Sequence, residues 1–142
     1  MSKNLVLSQE ILPLIKDSLG NQQIVTLTVS GHSMRPFLKD KGSIVSVINE
    51  PFKKHDILLY TNENNTLVLH RLIKNTNPLV LCGDALKTKE LIHPNNVLGK
   101  VKRIEYKGKI INPNTRFYRF KVKLWILLKP FRKILLKVFF RT

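Results

Sequence analysis

The chain is poor in the features that most readily announce a function. It has one cysteine, Cys82, in 142 residues. No internal disulfide can form, which suits a reducing compartment or simply a small buried side chain. Nowhere do His, Cys and acidic residues gather at metal-ligand spacing, and there is no glycine-rich phosphate loop. Neither a metal nor a cofactor is expected. No run approaches the ~20 apolar residues of a membrane-spanning helix. The opening "MSKNLVLSQEILPLIKDSLG" also lacks the uninterrupted apolar stretch of a secretory signal. Acid is scarce as well: 9 Asp and Glu stand against 25 Lys and Arg, a net +16. That excess points toward an anionic surface, either nucleic acid or anionic lipid.

What is present is enough apolar residue, 43%, to bury one core. Residues 8–19 read as a short amphipathic helix, with Ser8 as N-cap, Gly20 as stop, and Pro13 awkward inside it. The middle of the chain is strand-like. "QIVTLTVS", "SIVSVI", "DILLY", "TLVLHRLI", "PLVLCG" and "VLGKVKRIEY" are rich in Val, Ile and Leu. Gly, Pro, Asn or charged residues separate them. "ENN" at 63–65 and "YKGK" at 106–109 suit hairpin turns. Continuous apolar runs suggest strands covered on both faces. A mainly β, mostly antiparallel domain of the barrel or sandwich kind follows.

The composition changes near Asn112. Residues 116–142 hold nine Lys and Arg and no acid, so they carry +9 of the +16. Phe117, Phe120, Leu124, Leu128, Phe131, Leu135 and Phe139 recur at threes and fours, one apolar helical face, and Pro130 should kink it. The chain therefore divides into a domain at 1–115 and a basic amphipathic tail at 116–142. Such a helix suits the headgroup region of an anionic membrane, with Trp125, Phe131, Lys133, Lys137, Phe139 and Phe140 in contact. Residues 116–124 fit the domain's own core almost as well. The aromatic and basic mixture of "RFYRFK" also suits single-stranded nucleic acid.

Three short features bear on chemistry. In "SGHSMRPFL", Ser33 lies between Gly31 and Pro36, and a turn has no evident use for the bulky Met34 beside it. His70 stands inside an apolar strand, where an imidazole needs a partner, and Arg71 follows. Gly83-Asp84 ends another strand, and Glu90 comes six residues later. Taken singly, Gly83-Asp84 is an ordinary turn dipeptide and His70 an ordinary structural histidine. His32 is a cleft-lining residue at most, His55 and His93 sit in solvated turns, and Cys82 packs in a core.

The order Gly-x-Ser-Met-x-Pro, then His-Arg in a strand, then Gly-Asp resembles the signal peptidase I superfamily, which includes self-cleaving repressor domains. The likeness covers about residues 25–105 and rests on Gly31, Ser33, Met34, Pro36, His70, Arg71, Gly83 and Asp84. It implies coiled antiparallel sheets or a partly open barrel, and a serine peptidase acting on a peptide or precursor protein. Ser33 is then the nucleophile, His70 the base, and Gly31, Met34 and Pro36 line the oxyanion and cleft region. The backbone N–H of Ser33 is the expected oxyanion donor, because Gly31 offers no hydroxyl. His70 replaces the lysine of most bacterial members and resembles the endoplasmic-reticulum and archaeal branch. There the Gly-Asp acid and the acid six residues on both matter. Imidazole titrates near 6.5 and benefits from an acid that fixes its tautomer. Asp84 stands slightly ahead of Glu90 for that role. Small relatives of this kind look like processing enzymes that remove a leader from a ribosomally made peptide. The implied location is cytoplasmic, peripheral at the inner face of the membrane. The alternatives are a repressor-type self-cleaving domain, for which residues 1–24 are too short a DNA-binding module, and a non-catalytic basic module for membrane or nucleic acid.

Overall fold

The structure, a computed structural model, describes residues 2–139, with side chains described for 10–131 and 133–138. Helix α1, Ser2–Gly20, leads into eight strands: β1 Val25–Thr28, β2 Ile44–Ile48, β3 Ile57–Thr61, β4 Leu67–Lys74, β5 Leu79–Cys82, β6 Lys89–Ile92, β7 Val97–Tyr106 and β8 Lys109–Ile111. Two helices follow, α2 Arg116–Leu127 and α3 Arg132–Phe139. The mainly β expectation holds, with helices at both ends. The sheet is single, antiparallel and open, in the order β1-β2-β7-β3-β4-β5-β6 with β8 on β7.

Six strands coincide with the apolar runs of the sequence. The other two, β6 and β8, are short and each begins with a lysine, which hid them from an argument based on apolarity. The Tyr106–Lys109 turn places Lys107 and Gly108 at φ 50° and 76°. Two successive left-handed residues match the right-handed strand twist. Helix α1 begins earlier than expected, so Ser8 lies inside the helix and not at its N-cap position. The helix also runs through Pro13. Leu12, Ile15 and Leu19, spaced for one helical face, are buried and hold it to the sheet.

Alternation along the strands builds two apolar layers. Ile57 and Leu59 of β3 face a larger core with Val45, Val47, Ile104, Met34 and Leu38. Leu58 and Tyr60 face a smaller one with Leu72, Leu79, Leu81 and Ile92. Every residue of β3 is buried, as its continuous apolar run implies.

The expected boundary at 115 is not a packing boundary. Thr115 caps α2 by accepting from the Tyr118 N–H at 3.2 Å, and Tyr118 and Val122 enter the larger core. Arg119 reaches back to Asp56. Pro130 does separate the two helices: a 3-10 turn, Lys129–Phe131, lies between them. Phe140 and the Phe139 side chain lie outside the described residues.

Candidate active site

Met34 answers the question that its sequence position raises. It is buried in the larger core, anchoring the segment that presents half-buried Ser33. Gly31 takes φ 92°, where a side chain would be strained. Its N–H donates to Asp40 at 2.7 Å. The Ser33 carbonyl then accepts from the Ala85 N–H at 2.9 Å. Gly83 sits so close that a Cβ there would lie 2.6 Å from the Ser33 oxygen. Glycine is therefore needed at 83 for close approach. Among the described residues, the Ser33 N–H and Oγ have no intramolecular hydrogen-bond partner.

Register brings His70 to the same place. Arg71 pairs with Cys82 across β4 and β5, so the antiparallel ladder puts His70 level with Gly83. His70 is almost wholly buried. Its Nδ1 lies 3.2 Å from Glu90 Oε1 and 3.0 Å from the Tyr60 hydroxyl. That hydroxyl donates to Glu90 Oε1 at 2.9 Å. Three polar groups thus close a triangle on Nδ1, while Nε2 has no hydrogen-bond partner among the described residues. Ser33 and His70 are not hydrogen-bonded to each other. Catalytic hydrogen bonds commonly tighten only once substrate is bound.

The triangle constrains the tautomer. Tyr60 has one hydroxyl proton, and the carboxylate of Glu90 is the stronger acceptor for it. With that proton committed, His70 Nδ1 satisfies its neighbours only as a donor. The neutral ring then carries its lone pair on Nε2, as a general base requires. Burial pushes His70 below the ordinary imidazole value of 6.5, while the charges of Glu90 and Asp84 oppose the shift. Burial also drives the Tyr60 phenol far above its usual range, with Glu90 adding to the effect, so Tyr60 stays protonated.

Asp84 does not orient His70. It is sealed in a bidentate pair with Arg71, Nε to Oδ1 at 3.1 Å and Nη2 to Oδ2 at 2.7 Å. Arg71 and Asp84 are 1% and 2% exposed. The reason is strand alternation: Arg71 follows His70 and must point to the opposite face of β4. There the guanidinium lies over the rings of Phe37 at 5.1 Å and Tyr118 at 5.8 Å and donates to the His55 carbonyl at 3.0 Å. Glu90 meets His70 because β6 pairs with β5, placing Glu90 opposite Leu81. The spacing of six residues signalled Glu90. Tyr60 was missed; its only signal is a polar tip inside the apolar strand "DILLY".

Two further expectations are corrected. Trp125 is not a membrane contact: it is buried, and its indole N–H donates to the Asp84 carbonyl at 2.7 Å. Pro36 does not line the cleft beside Ser33. It lies in the turn that follows, after a cis Arg35–Pro36 peptide. That cleft, about 360 Å³, is walled by Leu27, Val29, Gly31, Met34, Leu59 and Leu69 among others. The remaining histidines are peripheral. His32 is exposed beside Asp40, and His93 caps a 3-10 turn. His55, expected in solvent, is half-buried at φ 78°, and its carbonyl holds Arg71. Cys82 is buried. No group of three or more potential metal ligands occurs among the described residues.

No protein-family model, no curated protein and no solved structure matches the chain.

Proposed function

We propose that the protein is a serine endopeptidase that cleaves a peptide or precursor protein, with Ser33 as nucleophile and His70 as base. The observation that carries this reading is the convergence at Gly83. The Ser33 hydroxyl and the Nε2 edge of His70, each without a partner among the described residues, belong to segments that meet there, with Nδ1 held by Glu90 and Tyr60. The motif order's resemblance to signal peptidases supports it.

In the proposed reaction, Ser33 Oγ attacks the scissile carbonyl carbon while His70 Nε2 takes the hydroxyl proton. The resulting oxyanion accepts a hydrogen bond from the Ser33 N–H. The C–N bond breaks as Nε2 returns the proton to the departing amine. Water then hydrolyses the ester with Nε2 again as base. Glu90 accepts from Nδ1–H and stabilises the imidazolium that forms twice in each cycle.

The apolar cleft beside Ser33 suits small or aliphatic side chains near the cut. Strand β1 ends the sheet, with β2 as its one partner. Its open edge offers backbone groups to an extended peptide next to that cleft. Removal of a leader from a ribosomally made peptide fits such a substrate. No described helix is long and apolar enough to cross a membrane. The location we propose is cytoplasmic, peripheral at the inner face of a membrane.

The test is a library of unstructured peptides rich in Ala, Val and Leu, followed by mass spectrometry. Wild type should release defined fragments and Ser33→Ala none. Undiminished cleavage by Ser33→Ala would remove Ser33 from the mechanism.

A further inference from the structure

Helix α2 has two apolar faces, and the fold uses one. Tyr118, Val122 and Trp125 point inward and are buried. Phe117, Phe120, Leu124 and Leu127 point outward, with Phe117 at 70% and Leu127 at 77% exposure. At about 100° per residue these four fall within an arc of roughly 80°, on the side away from the buried three. Lys121 borders the arc on one side, and Arg116 and Lys123 border it on the other; all three are exposed. The pattern continues past the bend, where Phe131, Ile134 and Val138 are exposed beside exposed Lys133 and Lys137. Apolar residues at helical spacing on a solvent face, bordered by cations, have no role in the fold of the monomer.

We propose that this outward face of α2, continued by α3, docks flat on an anionic phospholipid bilayer, with its apolar side chains among the acyl chains and its cations at the headgroups. Charge selects this occupant. Residues 116–142 carry nine cations and no acid, which complements a negative lipid surface. A second copy would set nine cations against nine. Nucleic acid would satisfy the charge and could stack on Phe117 and Phe120, but it has no use for exposed Leu124, Leu127, Ile134 and Val138. The helix must lie in the interface, because no described helix can span. Three of the sequence-expected contacts, Phe131, Lys133 and Lys137, belong to this surface, while Trp125 is replaced by the outward residues of α2. The proposal is independent of the peptidase reading, since binding is measured without substrate.

The test is co-sedimentation of the full chain with vesicles of phosphatidylcholine alone or containing phosphatidylglycerol. Binding should require the anionic lipid, weaken as salt rises, and persist in part at high salt. The variant Phe117→Ser/Phe120→Ser/Leu124→Ser/Leu127→Ser should lose about 100-fold or more in partitioning, since four interfacial apolar side chains are removed. Lys121→Glu/Lys123→Glu keeps the apolar face and should lose about fivefold or more per position. Trp125 is the only tryptophan and is buried, so unchanged emission certifies the fold of each variant. Each of these outcomes would overturn the proposal: wild-type binding that is absent or indifferent to anionic lipid, retention of full affinity by both folded variants, or tighter binding to a single-stranded oligonucleotide that displaces the vesicles. Self-association of the lipid-free chain abolished by the four serines would assign the face to a second copy instead.

Discussion

His70 and Arg71 are neighbours in one strand, each faces an acid, and they have opposite characters. Arg71 and Asp84 are locked together by two hydrogen bonds, roofed by Phe37 and Tyr118, and closed to water. His70 and Glu90 meet through one polar corner shared with Tyr60, and Glu90 is 36% exposed. A sealed bidentate pair, closed to water and substrate, can hold a fold but has no open position from which to move a proton. The looser triangle leaves one ring nitrogen open and a carboxylate at its back. A single step along β4 thus separates a structural ion pair from a group fit for acid–base chemistry.

The largest effect should come from removing the roof over the Arg71 side. Ending the chain after Asn114 deletes Tyr118, Val122 and Trp125, exposes the larger core, and strips a partner from the Asp84 carbonyl. Loss of cooperative unfolding, or aggregation, is expected by circular dichroism and light scattering. A folded, active 1–114 fragment would mean that α2 is dispensable to the core. On the other side of the strand, His70→Ala removes a buried side chain and should lower the melting temperature, but far less than the truncation does, leaving a folded protein whose kcat/KM falls by the ~10²–10⁴-fold typical of a lost general base. A mutant that unfolds rather than stalls would erase the contrast between the two residues.

Asp84→Asn probes the sealed pair. It leaves the Arg71 charge buried and incompletely compensated, which destabilises by about 3–5 kcal/mol. Denaturant titration should show this loss. Activity per folded molecule should change less than it does in His70→Ala. If instead stability is kept and catalysis collapses, Asp84 belongs to the chemistry and is no mere counter-ion for Arg71.

The same contrast marks what the sequence could disclose. The strand alternation of "TLVLHRLI" already dictates that His70 and Arg71 face opposite ways, so an acid paired with one of them is turned away from the other. What sequence withholds is which acid lies on which side, because that depends on the pairing of β5 with β6. Strand β6 was hidden by its charged residues, and the choice between Asp84 and Glu90 was hidden with it. Tyr60 was hidden for a different reason: a tyrosine in an apolar strand is read as bulk until a neighbour claims its hydroxyl. The tail failed in an instructive way. Its threes and fours identified an apolar face correctly, and Phe117, Phe120 and Leu124 do lie on one side. A second, shorter stripe, Tyr118, Val122 and Trp125, was the one that docked, because it carries the shape and the indole donor that the Asp84 loop accepts.

Glu90→Gln and Tyr60→Phe sharpen the looser side. Glu90→Gln removes the charge that opposes burial at His70, so the imidazole should fall further below 6.5 and the acid limb of the kcat/KM profile should move to lower pH. The plateau rate should drop as well, by less than in His70→Ala, because the imidazolium loses its counter-charge. Tyr60→Phe removes a neutral group, leaves Glu90 able to accept from Nδ1–H directly, and should lower the rate least. An acid limb that moves to higher pH in Glu90→Gln would show that Glu90 does not act on His70.

The smallest effect concerns stability against pH. Burial holds the folded-state pKa of His70 below its ordinary 6.5, against the pull of Glu90 and Asp84. The unfolded chain, whose imidazole is solvated, therefore takes up the proton first as pH falls. The stabilisation from keeping His70 neutral is complete above about 6.5 and is lost as pH falls through the folded-state pKa. Arg71 has no counterpart, since its guanidinium stays charged throughout. Wild type should consequently lose more melting temperature between about pH 8 and 5 than His70→Gln, which cannot titrate in the imidazole range. The difference between the two curves isolates this one imidazole from the carboxylates that both proteins share. If the curves instead converge because wild type gains on acidification relative to the variant, the carboxylates outweigh burial. The folded-state pKa of His70 would then lie above its ordinary 6.5, and Glu90 and Asp84, not burial, would set its protonation.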